Sequence, residues 1–126
     1  MITVTKNFSF EACHHLPHYV GACHNLHGHS YKLSVTVGGN IIKDTNNPKC
    51  GMIVDFKDLK RIVKEVAVDK YDHCNLNDYF PNPTAENMVS VISSDIISRL
   101  PEGVHLVSVK LWETADSYAE YSILES

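Results

Sequence analysis

Residues 27–37 read HGHSYKLSVTV, and their alternation decides the fold. Tyr31, Leu33, Val35 and Val37 fall on one parity; Lys32, Ser34 and Thr36 fall on the other. A strict period of two is the mark of a strand with one buried and one polar face. His27 and His29 continue the apolar parity backwards, so two imidazoles project together from the start of this strand. Gly28 between them permits a close approach on the side where it has no side chain.

The same pattern lies upstream. Over residues 2–12, Ile2, Val4, Phe8 and Phe10 share one parity, while Thr3, Thr5, Asn7 and Ser9 share the other. His14 lies on the apolar parity of this first strand. Antiparallel pairing of the two strands brings the end of one to the start of the other, so His14 should meet His27 and His29 at the rim of the sheet.

Downstream, NNPKCG at 46–51 is a turn. Asp55 has the chemistry of a helix N-cap, with Asp58 in the first turn and Phe56, Leu59, Ile62, Val63 and Val66 at helical spacing. A second helix begins at NPTAEN, 82–87, with Thr84 as its cap and Glu86 at the positive end of the dipole. Ala85, Val89, Ile92, Ile96 and Leu100 form its stripe; Pro101 and Gly103 end it. Residues 104–113 and 118–124 read as two further strands joined through TADS. The order β-β-α-α-β-β predicts an α+β fold: a four-stranded antiparallel sheet with two helices on one face, in a single domain over 1–126. The other sheet face is wet or turned towards another subunit.

Composition narrows the function. A hydrophobic fraction of 44% is ordinary for a globular chain, and a net charge of -4 gives no general attraction to nucleic acid or anionic membrane. No run approaches the roughly 18 apolar residues of a membrane span, and the first residues lack the pattern of a secretory signal. The expectation is a cytoplasmic protein, whose Cys13, Cys23, Cys50 and Cys74 are free thiols or metal ligands.

Three neutral imidazoles suit zinc, and three protein ligands with one open position is the pattern of a catalytic site. Cys23, in CHNLHGHSY at 23–31, leaves an alternative open: with the three histidines it would close a structural Cys-His₃ site. Glu113 ends the one-parity run Val107, Val109, Leu111, where a carboxylate is expensive without donors.

The ordered set FSFEACHHLP, CHNLHGHSY, GMIVDFKDLK, YDHCNLND, NPTAEN and KLWETADSY resembles the 6-pyruvoyltetrahydropterin and 6-carboxytetrahydropterin synthase family of tunnelling-fold enzymes, over nearly the whole chain. The resemblance implies a zinc enzyme acting on 7,8-dihydroneopterin triphosphate. It implies zinc on His14, His27 and His29, Cys23 as the base, Asp72 and His73 as a proton relay, and Glu113 as the pterin anchor, with Thr84 as a further pterin contact. It also implies a homo-oligomer, a hexamer of two trimers, in which Asp72 and His73 reach a neighbouring chain's site because adjacent side chains do not naturally pair. The C-x₃-H-G-H spacing is similar to that of the 6-carboxy members, which release acetaldehyde and triphosphate and feed 7-deazapurine (queuosine) synthesis. The alternatives are the 6-pyruvoyl reaction and a non-catalytic zinc-stabilised interaction module.

Overall fold

The structure is a computed structural model that describes residues 1–123. Strand β1 spans Thr3–His14 and β2 spans His27–Gly39. Helix α1 covers Phe56–Val63, continues through a π-helical stretch at Lys64–Val68, and ends as α2 at Asp69–Tyr71. Strand β3 is Cys74–Asn75, α3 is Ala85–Ile97, β4 is Val104–Thr114 and β5 is Ser117–Ser122. Residue 124, assigned above to the last strand, lies outside the described residues.

The sheet has five strands in the order β3-β1-β2-β4-β5. The four long strands are antiparallel, as their alternation predicts, but β3 adds a two-residue parallel edge against β1, pairing Ala12 with Cys74 and Cys13 with Asn75. Two residues carry no readable alternation, and the turn before them depends on a left-handed His73, with φ 59°. The helices form as their caps dictate. Asp55 accepts from the Lys57 N–H and Thr84 accepts from the Asn87 N–H, each satisfying a donor the first turn leaves free.

The core lies between the sheet and the helices. Leu33, Val35, Val37, Val109 and Leu111 from the sheet meet Leu59, Val63, Ile92 and Ile96 from the helices, all with no exposed surface. Each such side chain stabilises the fold by roughly 1.5–3 kcal/mol relative to leaving it in water. Three expectations fail here. Ile2, on the apolar parity of the first strand, precedes β1 and is exposed. Phe56, the first residue of α1, is half exposed. Val107 is not on the apolar face; the β2–β4 register shifts between Thr36 and Val37, and the buried residue opposite Val37 is Leu106. The face away from the helices is mostly polar, and one row across it carries two aromatic rings. Ser9, Lys32, Trp112 and Tyr118 stand side by side on β1, β2, β4 and β5, with the Lys32 ammonium 4.7 Å from the Trp112 ring centre.

Candidate metal centre

The β1–β2 register places His14 directly opposite His27 and Ala12 opposite His29. Because side chains two apart share a face, the three imidazoles converge on the helix side of the sheet. One nitrogen of each lies within 4.8 Å of the others, so the three could hold a metal ion. The ring centres are 4.7, 5.0 and 4.8 Å apart and the rings meet edge to face. His14 is completely buried. Gly28 serves no close backbone contact within the chain: a Cβ there would meet only the Ala12 carbonyl, at an ordinary 3.8 Å.

Backbone carbonyls set the rings. His14 Nδ1 lies 2.9 Å from the Pro83 oxygen, and His27 Nδ1 lies 2.7 Å from the Asn25 oxygen. A carbonyl only accepts, so each Nδ1 carries its ring's proton and each Nε2 presents a lone pair. Those two Nε2 atoms face one another at 3.1 Å. Two unprotonated lone pairs at that distance repel unless a cation lies between them. The third donor, His29 Nε2, is buried with no hydrogen-bond partner and sits 3.6 Å from the Glu113 carboxylate. Burial holds the protonation of His14 and of His29 below the ordinary imidazole range, with the Glu113 charge opposing it in each case. The donor set is therefore neutral nitrogen beside one carboxylate, which suits a metal cation better than a trapped proton.

Glu113 keeps the inward parity of Val109 and Leu111, as the sequence predicts. Trp112 pairs with Tyr118 and Thr114 with Ser117, so Glu113 is the extra residue of a bulge in β4. The bulge sits beside this half-buried carboxylate, which lies 3.6 Å from His29. A shallow cavity of about 290 Å³ beside it is lined by Ala85, Glu86, Glu113, Ser117, Tyr118 and Ala119.

Cys23 occupies a 3₁₀ turn, Ala22–His24, half-buried, and is not one of the clustered ligands. Its carbonyl accepts from the Leu16 N–H at 2.9 Å, which ties this turn back to the end of β1. All four cysteines are free thiols. Thr84 caps α3 one residue after the carbonyl that holds His14.

Asp72 and His73 are not among the clustered groups. They sit at the β3 edge beside Glu11, whose N–H donates to Asp72 Oδ1 at 2.9 Å. His73 lines an open pocket of about 530 Å³ with Glu11, Cys13, His29, Ser30 and Cys74. Contrary to the expectation that adjacent side chains do not pair, Asp72 Oδ2 is 3.0 Å from His73 Nδ1. The left-handed backbone at His73 swings its ring back over the preceding carboxylate. Asp72 titrates below its usual range, chiefly because it accepts the Glu11 N–H and secondarily through His73.

Sequence reasoning found the three imidazoles but missed what orients them: the Pro83 and Asn25 carbonyls, and the Tyr31 hydroxyl 3.2 Å from His14 Nδ1. NPTAEN carried the only available signal, and it reads equally well as a helix start.

The described chain matches the model of the family called 6-pyruvoyl tetrahydropterin synthase over residues 3–123. It is 34% identical to a 6-carboxy-5,6,7,8-tetrahydropterin synthase of Haemophilus influenzae, over 96% of this chain and 99% of that one. It is 40% identical to a dihydroneopterin monophosphate aldolase of Pyrococcus furiosus, over 83% of each. The solved structure of a 6-pyruvoyl tetrahydropterin synthase of Caenorhabditis elegans superposes with a TM-score of 0.80 at 27% identity, covering 96% of this chain and 94% of that one.

Proposed function

Because the chain belongs to the 6-pyruvoyl tetrahydropterin synthase family, we propose that it is a zinc-dependent 6-carboxy-5,6,7,8-tetrahydropterin synthase. Its substrate is 7,8-dihydroneopterin triphosphate, and its co-products are acetaldehyde and triphosphate on the way to 7-deazapurines. The observation that carries the reading is the facing pair of lone pairs on His14 and His27, with the orphaned His29 nitrogen beside them. In a tetrahedral site with Zn–N bonds of about 2.0–2.1 Å, two nitrogens stand about 3.3 Å apart. The 3.1 Å between His14 and His27 is close to that separation.

Zinc, when bound, supplies Lewis acidity to an oxygen of the substrate side chain. The chain's own residues do the rest. Glu113 faces the pterin edge, where two carboxylate oxygens match two N–H donors, and Thr84 borders the same place. Cys23 removes the side-chain proton as thiolate. His73 receives or returns a proton at Nε2, because Asp72 holds its Nδ1–H. In one chain the His73 ring is 79% exposed at the β3 edge and is not one of the clustered imidazoles. On this proposal a second copy completes the site, in a hexamer of two trimers. The reducing cytoplasm suits the free thiols.

The C-x₃-H-G-H spacing favours the 6-carboxy over the 6-pyruvoyl reaction, since one extended residue more would shift Cys23 by up to about 3.3 Å. Product analysis tests this. Supplied with 7,8-dihydroneopterin triphosphate, the enzyme should release acetaldehyde in step with triphosphate. Accumulation of the pyruvoyl compound without acetaldehyde would establish the other reaction instead.

A further inference from the structure

The turn that starts α3 is tied more heavily than a helix start requires. Capping uses only the Asn87 backbone N–H, which reaches Thr84 Oγ1 at 3.1 Å and which any residue but proline supplies. The Asn87 side chain is spare. Its Nδ2 nonetheless donates to the Asn82 carbonyl at 2.8 Å, where the Thr84 N–H also arrives at 2.9 Å. Asn87 thus grips both residues that flank Pro83. Pro83 has no N–H of its own with which to fix its orientation. Its carbonyl is the group that accepts from His14 Nδ1 at 2.9 Å.

We propose that Asn87 is a positioning residue for the metal centre: it holds the Asn82–Pro83–Thr84 turn so that the Pro83 carbonyl fixes His14 with Nε2 turned to its partners. This rests on His14 being a metal ligand. The chain of contacts is short and each link is directional. His14 is fully buried, so no solvent replaces the carbonyl if the turn rotates. The Tyr31 oxygen, 3.2 Å from the same nitrogen, is a poor substitute: a hydroxyl both donates and accepts, so it selects neither tautomer. The Pro83 carbonyl is the group that discriminates. Hydrogen-bonding partners of this kind typically change metal affinity by roughly 10–100-fold when removed directly. Asn87 acts one step further out, and the expected effect is smaller.

The test compares zinc(II) affinity, by competition with a chromophoric chelator, with the tautomer of His14 read from ring ¹⁵N shifts in zinc-free protein. Asn87→Ala should bind zinc about fivefold more weakly. It should also convert His14 from a single Nδ1–H form to a mixture. Alanine favours the helix, so α3 itself is not weakened. Asp55→Ala removes the cap of α1 and serves as the control; it should lower thermal stability and leave zinc affinity unchanged. Wild-type affinity and a single tautomer in Asn87→Ala would overturn the positioning role, as would an equal loss in Asp55→Ala. His14→Ala separates the two levels. Retention of zinc affinity there refutes the metal site itself, whereas its loss there without any effect of Asn87→Ala refutes only the role of Asn87.

Discussion

His14 and His27 face one another across the β1–β2 ladder with their Nε2 atoms 3.1 Å apart, each ring having committed its other nitrogen to a backbone carbonyl. With both Nε2 atoms unprotonated the two lone pairs repel, and a metal ion or a shared proton between them relieves that repulsion. The repulsion follows from which atoms accept and which donate.

Metal content should therefore depend on the cluster and on no other histidine. His29→Ala removes the orphaned donor and should lower zinc content severely. His105→Ala, on an exposed stretch of β4, should leave it unchanged. Metal analysis of the two purified variants checks this; equal zinc in both would remove His29 from the site.

The three clustered histidines were legible in the sequence because strand parity is geometry. His14, His27 and His29 had to share a face once the strands were recognised. What fixes them was not legible. A backbone carbonyl has no residue signature, so Pro83 and Asn25 were invisible as partners. Irregularities were equally hidden. The register shift that buries Leu106 in place of Val107 comes from chain geometry across strands, and so does the bulge at Glu113, although the direction of Glu113 itself follows the parity of Val109 and Leu111. The left-handed turn at His73 uses a residue that gives no warning of it, unlike glycine, and the parallel β3 edge depends on that turn.

Replacing Glu113 with glutamine keeps its shape and removes its charge. Glu113→Gln should retain the fold, because the substitution is isosteric and the side chain is only half-buried. It should lose roughly 10- to 100-fold in kcat/KM on the pterin substrate, the magnitude of a charge-assisted hydrogen-bond pair. Steady-state kinetics beside far-UV circular dichroism would show it, and unchanged kinetics would remove Glu113 from pterin binding.

Asp72 is held below its ordinary carboxylate range by the Glu11 N–H and then by His73. A depressed folded pKa stabilises the fold above the unfolded value, and that contribution is lost as pH falls through the folded one. The β3 edge should thus stay intact at neutral and mildly acidic pH and loosen only in stronger acid. Carboxyl ¹³C shifts should place the Asp72 midpoint below that of an exposed aspartate. A midpoint at or above it would contradict the Glu11 contact.

The His73 ring is largely exposed at the β3 edge and is proposed to serve a neighbouring chain's site, so two inactive variants should complement. Mixing Cys23→Ala with His73→Ala subunits under exchange should restore part of the activity, because some sites then receive both intact groups. No recovery after exchange, confirmed by native mass spectrometry, would place the whole site within one chain.

The most direct measurement is a zinc titration of metal-stripped protein with acetaldehyde release from 7,8-dihydroneopterin triphosphate as the readout. Activity should start near zero, rise linearly, and break at one zinc per chain. Full acetaldehyde release by the stripped protein, or a rise unrelated to one zinc per chain, would contradict a zinc centre on His14, His27 and His29.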